Sequence, residues 1–239
     1  MPSMISVKWL SCSLREVPKH SDWLLPAERR TADGLRVRKR QDDWRLGRWT
    51  AKAALRAAWP SLYDGLPAPH DLEIVAAADG APELASRWLR TGSHNSWPTF
   101  SLSHSGGIGL CAVAPAEARI GCDVERLETR SNALIRDFFT ETEQSVCRTG
   151  RPEQQTLAAN LIWSAKESAL KALRTGLRAD TRSVEVHWES GRDASAWSAL
   201  TVKRQEREPL FGWWRASRDF VLTVVASPRP APPVELARD

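Results

Sequence analysis

The sequence predicts an α+β fold made of two similar α/β subdomains. Two observations support this prediction. First, strand-like runs and helical runs follow each other in the order strand, helices, strands, and this order occurs twice, with the change near residues 115–120. Second, a chain of 239 residues with 42% hydrophobic and 26% charged residues suits two small cores. We expect subdomains at 1–117 and 118–227, followed by a flexible, proline-rich tail at 228–239.

The first subdomain begins with a strand over 5–14 and continues with helix. Pro26 lies near the start of the helical region, Gly34 separates a short helix from a longer one, and the longer helix ends near Trp59. The elements that we expect after it are a loop at 60–70, a strand at 72–75, a turn at 78–82, an exposed loop at 86–98, and strands at 99–103 and 108–114 joined by a turn at 104–107.

The second subdomain begins with a strand over 119–125. The helix predicted for 132–149 has a break at Thr140, where Glu143 three residues later completes a capping box. A long helix over 152–173 ends at Gly176. Alternating apolar residues predict four closing strands, at 183–188, 197–204, 211–215 and 220–226.

Positive charge is concentrated in one helical segment. Residues 28–56 carry ten Lys and Arg against four Asp and Glu, an excess of six, whereas the net charge of the whole chain is +5. Such a segment indicates either an anion-binding surface or an ordinary solvated helix face. The twelve Trp residues fit a well-anchored core or an aromatic groove equally well.

The four cysteines show no metal-site or CxxC spacing, so we expect free thiols in a reducing compartment. The first residues do not resemble a signal peptide, and no apolar run reaches membrane-spanning length. These features predict a cytoplasmic protein without membrane contact.

Two carboxylates stand two residues apart on a predicted strand. Asp123 and Glu125 therefore project from the same face. A pair of like charges on a half-buried strand persists most easily around a cation, and oxygen ligands suit Mg²⁺. Glu167, from another element, is the obvious third ligand. The alternative is a solvent-facing Asp-x-Glu on an edge strand.

Two further stretches carry polar groups that could do chemistry. Trp163, Glu167 and Lys171 lie four apart along one edge of the long helix, which fits either a functional pair or an ordinary surface ion pair. His104 precedes Ser105 and two glycines, whose small size lets a phosphate approach turn amides, although a plain hairpin with a surface histidine is equally consistent.

The order of these segments resembles the Sfp-type 4′-phosphopantetheinyl transferases. The pattern of that family is an SHS turn, a (I/V)G-x-D-x-E strand and a (F/W)-(S/C/T)-x-K-E-(S/A)-x-x-K helix, matched here at 103–107, 120–125 and 163–171. The resemblance covers roughly residues 25–175. Besides the three motifs, it includes the basic helix, the Gly80–Pro82 turn and the segment 138–143. The C-terminal strands match only in type.

The resemblance implies an enzyme of the holo-[acyl-carrier-protein] synthase type. Such enzymes move the phosphopantetheine arm of coenzyme A to a serine of an apo acyl or peptidyl carrier protein and release adenosine 3′,5′-bisphosphate. Coenzyme A is expected in the cleft between two pseudo-twofold-related halves. Carrier proteins of fatty-acid, polyketide and nonribosomal-peptide synthesis are all possible partners, and a monomer is the simplest state.

The resemblance also assigns site residues. Asp123, Glu125 and Glu167 would hold Mg²⁺, and Lys171 would neutralise the diphosphate. Glu167 is the first candidate for the base that takes the serine proton, and Glu143 is the second. The side chains expected to bind coenzyme A, besides Lys171, are Ser103, His104, Arg45, Arg48, Lys52 and Lys166.

One departure and two rival hypotheses complete the sequence-based view. Many relatives carry a basic residue in the turn where this chain has Ala81, so that phosphate contact must come from elsewhere or be absent. A nucleic-acid-binding module would use the basic helix, but no RNP, KH, zinc-finger or helix-turn-helix signature is present. A Mg²⁺-dependent phosphodiesterase would explain the carboxylates and leave the helix pattern unexplained. We expect carrier contacts near residues 126–135.

Overall fold

Two antiparallel sheets, each covered by one long helix, make up the protein. The computed structural model describes residues 4–58, 68–85, 98–189 and 196–237. The helices are α1 (Pro26–Gly34), α2 (Arg38–Ala58), α3 (Asn132–Phe138), α4 (Glu141–Cys147) and α5 (Pro152–Ala172). The strands are β1 (Lys8–Ser13), β2 (Ile74–Ala76), β3 (Pro82–Leu84), β4 (Thr99–Ser105), β5 (Ile108–Ala114), β6 (Arg119–Arg126), β7 (Val184–Trp188), β8 (Ser198–Arg204), β9 (Arg207–Ala216), β10 (Phe220–Ser227) and β11 (Val234–Glu235).

The N-terminal half is a four-stranded sheet in the order β11-β1-β5-β4, with α2 packed on it. The helix turns Leu46, Ala51 and Leu55 into the core, where they are fully buried. The hairpin between β4 and β5 closes on Gly106 and Gly107, whose φ angles of 56° and 80° belong to the left-handed region that glycine adopts without cost.

The C-terminal half is a five-stranded sheet in the order β6-β10-β9-β8-β7, with α5 packed on it. The helix lies very close to β6. A Cβ placed on Gly121 would fall 1.9 Å from the carbonyl oxygen of Ser168. Ser164 and Ser168 also hydrogen bond to the hydroxyl of Thr223 at 2.8 and 2.7 Å. Small residues therefore let the helix and the sheet approach, and the buried hydroxyls satisfy one another.

The two halves share one topology. In each half, the first strand (β1 or β6) pairs antiparallel with the second strand of a hairpin (β4–β5 or β9–β10). The long helix (α2 or α5) lies in sequence between the first strand and that hairpin. The strand order β1-β5-β4 therefore corresponds to β6-β10-β9. A third apolar cluster, which includes Leu110, Val124 and Val224, joins the two sheets. The mixed α+β class and the paired arrangement predicted from element order are what the structure shows.

The C-terminal segment differs from the prediction of a flexible tail. The described residues up to 237 run back along the N-terminal half, where β11 pairs parallel with β1. Val234 N donates to Val7 O at 3.0 Å, and Leu236 N donates to Trp9 O at 2.8 Å. The sequence did not predict β11, because the prolines that precede it interrupt the alternation of apolar and polar residues that is typical of a strand. They still offer carbonyls, and Trp213 Nε1 donates to Pro230 O at 3.0 Å.

Other differences are matters of boundary. Strand β4 continues to Ser105, so His104 belongs to the strand and the turn contains only the two glycines. The expected turn at 78–82 joins the short hairpin β2–β3. The break before α4 is confirmed, with Thr140 as its N-cap. The expected loop at 86–98 lies outside the described residues except for Pro98, and that at 60–70 does so as far as residue 67.

Two composition-based questions are answered by burial. Trp9, Trp23, Trp163 and Trp214 are buried, so these tryptophans anchor cores and do not line a groove. All four cysteines are free and buried. No helix in the described ranges is long and apolar enough to cross a membrane.

Candidate functional site

Two serines of β4 bind the two carboxylates of β6. Ser103 Oγ donates to Asp123 Oδ1 at 2.6 Å, and Ser105 Oγ donates to Glu125 Oε2 at 3.2 Å. The two-residue spacing on each strand makes both contacts possible, because alternate side chains share a face. Asp123 and Glu125 project together as expected, and although β6 is the edge strand of its sheet, Asp123 does not face solvent, because it is almost completely buried.

Helix α5 brings an ammonium group to this pair. Lys171 Nζ lies 2.7 Å from Asp123 Oδ1, 3.1 Å from the carbonyl of Cys122, and 3.5 Å from Glu167 Oε2. Burial alone would lower the pKa of Lys171, but the charges of Asp123 and Glu167 outweigh it and raise that pKa. The lysine is therefore fully charged across the working range of an ordinary enzyme.

The carboxylates of Asp123, Glu125 and Glu167 lie close enough to repel one another. The pKa of Glu167 is raised, first by burial and then by the charge of Asp123. The pKa of Glu125 is raised for the same two reasons, in the same order. Two mutually repelling carboxylates beside a third are costly unless cations compensate, and Lys171 compensates only part of this charge.

Glu125 has the most partners of the three carboxylates. Trp163 Nε1 donates to its Oε1 at 3.1 Å, and Arg130 Nη2 forms an ion pair with its Oε2 at 2.9 Å. Trp163 also stacks edge-on against Phe138, which fixes the indole. The tryptophan of the helix motif thus orients a carboxylate, a role that its aromatic character alone did not indicate.

The same carboxylates are candidate ligands for a divalent cation. Asp123 Oδ2 is buried and has no hydrogen-bond partner among the described residues. Such an oxygen is costly without a partner, and a cation would satisfy it. Among the ranges described, however, no three Asp, Glu, His or Cys side chains lie close enough together to hold a metal ion as they stand. The donor chemistry fits Mg²⁺, while the present side-chain positions do not enclose it.

His104 faces the other long helix. A Cβ on Gly47 of α2 would lie 3.9 Å from His104 Cδ2, so the imidazole packs where this helix lacks a side chain. Burial lowers the pKa of His104, and the nearby charge of Asp43 opposes that shift only in part. The charges of Lys171 on α5 and of Lys39 on the basic helix also lower that pKa, so His104 lies within electrostatic reach of both helices.

Arg48 of the basic helix lies beside Trp44 and Glu28. Its guanidinium lies 4.8 Å from the centre of the Trp44 ring, and its Nε is 3.9 Å from Glu28 Oε1. Burial lowers its pKa from the ordinary value. The Nε has no hydrogen-bond partner in the part of the chain described, so Arg48 remains a candidate for binding an anion.

Two other basic residues of α2 have structural roles instead of the expected ligand contacts. Arg45 donates to the carbonyls of Pro18 and His20 at 2.6 and 3.0 Å. Lys52 is fully buried, and its Nζ contacts Glu28 Oε2 at 2.5 Å and the carbonyl of Trp23 at 3.0 Å. Lys52 thus lies in the core of the N-terminal half, and the half-buried Arg45 attaches α2 to the loop at residues 18–21. We therefore leave them out of the candidate site.

Lys166 and Glu143 require the same correction. Lys166 is fully buried, and its ammonium contacts Glu143 Oε2 at 2.8 Å and the carbonyls of Thr181 and Val184 at 2.8 and 2.6 Å. Glu143 Oε1 accepts from Val186 N at 2.9 Å. Neither side chain reaches the carboxylate cluster. The sequence could not separate them from Glu167 and Lys171, because burial depends on distant segments.

A cavity adjoins the cluster at Lys171. It has a volume of about 560 Å³ and lies between the β2–β3 hairpin, β4 and the end of α5. Phe100, Leu102 and Ile120 form apolar walls, while Lys171 lines one side of it and Arg174 another. A small molecule with an apolar body and a charged end fits such a cleft. Sequence analysis did not single out Arg130 or Arg174, since neither belongs to a recognised motif.

Comparison with known proteins gives consistent results. Residues 119–225 match the model of the 4′-phosphopantetheinyl transferase superfamily. A putative 4′-phosphopantetheinyl transferase of Synechocystis is 28% identical over 176 residues, 67% of each chain. A 4′-phosphopantetheinyl transferase of Bacillus subtilis is 37% identical over 78 residues, which cover 33% of this chain and 34% of that protein. The mouse L-aminoadipate-semialdehyde dehydrogenase-phosphopantetheinyl transferase is 26% identical, with 77% of this chain and 61% of the relative covered.

One solved structure is also similar. A holo-(acyl-carrier-protein) synthase from Bacillus anthracis in complex with coenzyme A is 24% identical. The likeness covers 47% of this chain and 97% of that chain, with a TM-score of 0.36.

The carboxylates, the lysine and the neighbouring cavity define an enzyme whose cleft suits a charged small molecule. Residues 119–225 thus match the 4′-phosphopantetheinyl transferase superfamily, and the similar proteins carry that name, in agreement with the resemblance of the motifs. The matches span about a third of the Bacillus subtilis relative and about three fifths of the mouse relative.

Proposed function

We propose that this protein transfers the 4′-phosphopantetheine arm of coenzyme A to a serine of an apo acyl or peptidyl carrier protein. One observation carries the proposal: Lys171 lies between Asp123 and Glu167 at the wall of the cavity, and all three belong to the family motifs. A charged site beside a cleft with apolar walls suits a substrate with a diphosphate and an organic arm.

The proposed reaction is a phosphoryl transfer. The serine oxygen of the carrier attacks the phosphorus that bears the pantetheine arm. The bond from that phosphorus to the oxygen of adenosine 3′,5′-bisphosphate breaks, and this oxygen leaves with the bond's electron pair. The serine proton passes to a base. Catalysis of such a step depends mainly on positioning and on neutralisation of charge.

Lys171 and Glu167 are the residues that we assign to these tasks. The charged Lys171 neutralises the diphosphate and the leaving oxygen. Glu167, whose pKa is raised by burial and by Asp123, is the preferred base. Glu143, the second candidate from the sequence, is buried against Lys166 and is not proposed.

Mg²⁺ is the proposed cofactor, held by Asp123, Glu125 and Glu167, and it would supply further positive charge at the diphosphate. The unpartnered buried Oδ2 of Asp123 supports this assignment. Ser103 keeps Asp123 oriented, and His104 with Arg48 is proposed to bind the nucleotide phosphates. Lys52 and Lys166 are not included, because their charges are used inside the two cores, and Arg45 is not included because it is bound to loop carbonyls.

The carrier protein is proposed to approach near residues 126–135. This segment leads from the carboxylate strand into α3, and its Arg130 contacts Glu125 directly. A serine presented there would be near the charged cluster. Free buried cysteines fit a reducing cytoplasm, and we propose that the enzyme works there as a monomer.

A mass measurement tests the proposed function. The protein is incubated with coenzyme A, Mg²⁺ and apo carriers from fatty-acid, polyketide and nonribosomal-peptide systems, and each carrier is weighed. A gain equal to one phosphopantetheine group is expected for at least one carrier. The matched control is the same carrier with its acceptor serine replaced by alanine. If no carrier gains mass, or if the control gains as much, the proposal fails.

A further inference from the structure

Arg174 has a backbone conformation that L-residues with side chains rarely adopt. It lies just after α5 with φ of 57°, where glycine would be unstrained. The chain could end the helix more easily with glycine at this position. We therefore expect the contacts of the Arg174 side chain to explain why arginine occupies this position.

Its guanidinium reaches across the cleft to the N-terminal half. Nε lies 2.6 Å from Asp79 Oδ2, Nη2 lies 3.0 Å from Asp79 Oδ1, and Nη2 also lies 2.6 Å from Glu83 Oε1. Arg178 adds a bond from its Nη1 to the carbonyl of Asp79 at 3.0 Å. Two arginines of one half thus bind one turn of the other, and Arg174 does so with the two-pronged geometry that fixes direction as well as distance.

The turn that they bind is itself well ordered by short-range bonds. Asp79 Oδ1 accepts from Ala81 N at 3.0 Å, and Gly80 N donates to Ala77 O at 2.8 Å. A rigid turn moves as a unit, so an anchor on Asp79 positions the whole segment. Asp79, Ala81 and Glu83 all line the cavity, as does Arg174.

An ordinary surface ion pair is the simpler explanation, because Arg174 is about half exposed and exposed pairs contribute little to stability. Three features argue against it. The contact joins residues 95 positions apart in the chain, it uses two carboxylates at once, and it requires an unfavourable backbone conformation. The hydrogen bond from Arg174 also lowers the pKa of Asp79, so the contact persists over a wide pH range.

We propose that Arg174 is a positioning residue that holds the Asp79–Pro82 turn across the cleft, sets the width of the cavity, and thereby sets the affinity for coenzyme A. This inference rests on the proposed function. Arg174 touches no reacting group, so the effect falls on binding.

Arg174→Gly is the central variant, because glycine relieves the backbone at this φ while removing the clamp. We expect KM for coenzyme A to rise roughly three- to tenfold with kcat nearly unchanged. Asp79→Asn should raise KM in the same direction but less, because the pair between Arg174 and Glu83 remains. The double variant should be no worse than Arg174→Gly alone, since that change already removes both contacts. Arg174→Lys should recover part of the affinity by keeping the charge without the two-pronged geometry.

Arg182→Gly is the matched control. It also removes one exposed arginine of the same half, but this residue pairs only locally with Asp180 in the contacts observed. Its KM should equal that of the wild type. An equal rise in KM for Arg182→Gly, or an unchanged KM for Arg174→Gly in an active enzyme, would overturn the inference.

Calorimetric binding of coenzyme A without any carrier separates this inference from the proposed function. If the wild type fails to transfer the arm yet binds coenzyme A more tightly than Arg174→Gly, the function fails and the clamp stands. If the wild type transfers the arm and both proteins bind equally, the clamp fails and the function stands. If the wild type neither transfers nor binds, both fail. Thermal unfolding confirms that each variant is folded.

Discussion

Lys166 and Lys171 lie on the same helix, each beside a carboxylate, yet their surroundings differ in one decisive respect. Around Lys166 every polar atom is satisfied: the ammonium has three acceptors, and Glu143 accepts backbone N–H groups with both oxygens. Around Lys171 the cluster is incomplete, because Asp123 keeps one buried oxygen without a partner in the described structure. A satisfied buried pair stabilises a fold, whereas an incomplete one can still bind a ligand.

The N-terminal half repeats the first arrangement. Lys52 of α2 is buried against Glu28 and a backbone carbonyl, as Lys166 of α5 is buried against Glu143 and two carbonyls. Both long helices thus place one lysine inside their own half. Lys171, only five residues after Lys166 on α5, differs from both, because it contacts Asp123 at the cleft.

The largest expected effect comes from breaking the satisfied pair. Lys166→Met leaves Glu143 buried without its cation, which should cost about 3–5 kcal/mol of unfolding free energy. Chemical denaturation measures this loss. The double variant Lys166→Met with Glu143→Leu should regain only part of it, because the N–H groups of Thr140 and Val186 then lose their acceptor. Full stability of the single variant would show that the pair is not a structural element.

Lys52→Met should behave in the same way in the other half. Glu28 would be left buried without its ammonium partner, and a similar loss of about 3–5 kcal/mol is expected. The exposed Lys39→Met, which removes only an i,i+4 pair with Asp43, is the matched control and should change stability by less than about 0.5 kcal/mol. Equal losses in the two variants would contradict the comparison.

Asp123→Asn should show the opposite pattern to Lys166→Met. It removes a charge from the incomplete cluster, so transfer should fall roughly 10²- to 10³-fold in kcat while the unfolding free energy changes little. Single-turnover transfer and denaturation are measured on the same preparation. Retained activity would refute the role of Asp123, and a loss of stability like that of Lys166→Met would remove the distinction between the clusters.

Trp163→Phe is the mildest test. The ring still packs on Phe138, but the hydrogen bond to Glu125 Oε1 is lost. One such bond contributes about 1 kcal/mol, so kcat should fall roughly fivefold with little change in KM. A loss as large as that for Asp123→Asn would mean that the indole does more than orient this carboxylate.

Much of the cleft could be predicted because its signals are local. A two-residue spacing places Asp123 and Glu125 on one face of any strand, and a four-residue spacing brings Glu167 and Lys171 together on any helix. The motif order then indicated that these elements meet. The structure adds Ser103 and Ser105 as the partners that hold the carboxylates.

The remaining features depend on contacts between distant segments, which spacing does not reveal. Lys166 reads as another helix lysine until Thr181 and Val184 supply carbonyls to it. The C-terminal strand exists because the outer edge of β1 is available to it, while its own prolines suggest disorder. The nucleic-acid hypothesis weakened for a similar reason, since Arg45 and Lys52 of the basic helix point into the protein.

Gly121 determines how far the charged groups of the cleft stand apart. It belongs to the strand that carries Asp123, at the point where this strand packs against the helix that carries Lys171, and even one methyl group there would collide with the Ser168 carbonyl. Any side chain at this position would push α5 outward and carry the ammonium away from its carboxylate. The 2.7 Å contact between Lys171 Nζ and Asp123 Oδ1, to which we assign a catalytic role, therefore depends on the absence of a side chain at Gly121, a residue that takes no part in the chemistry.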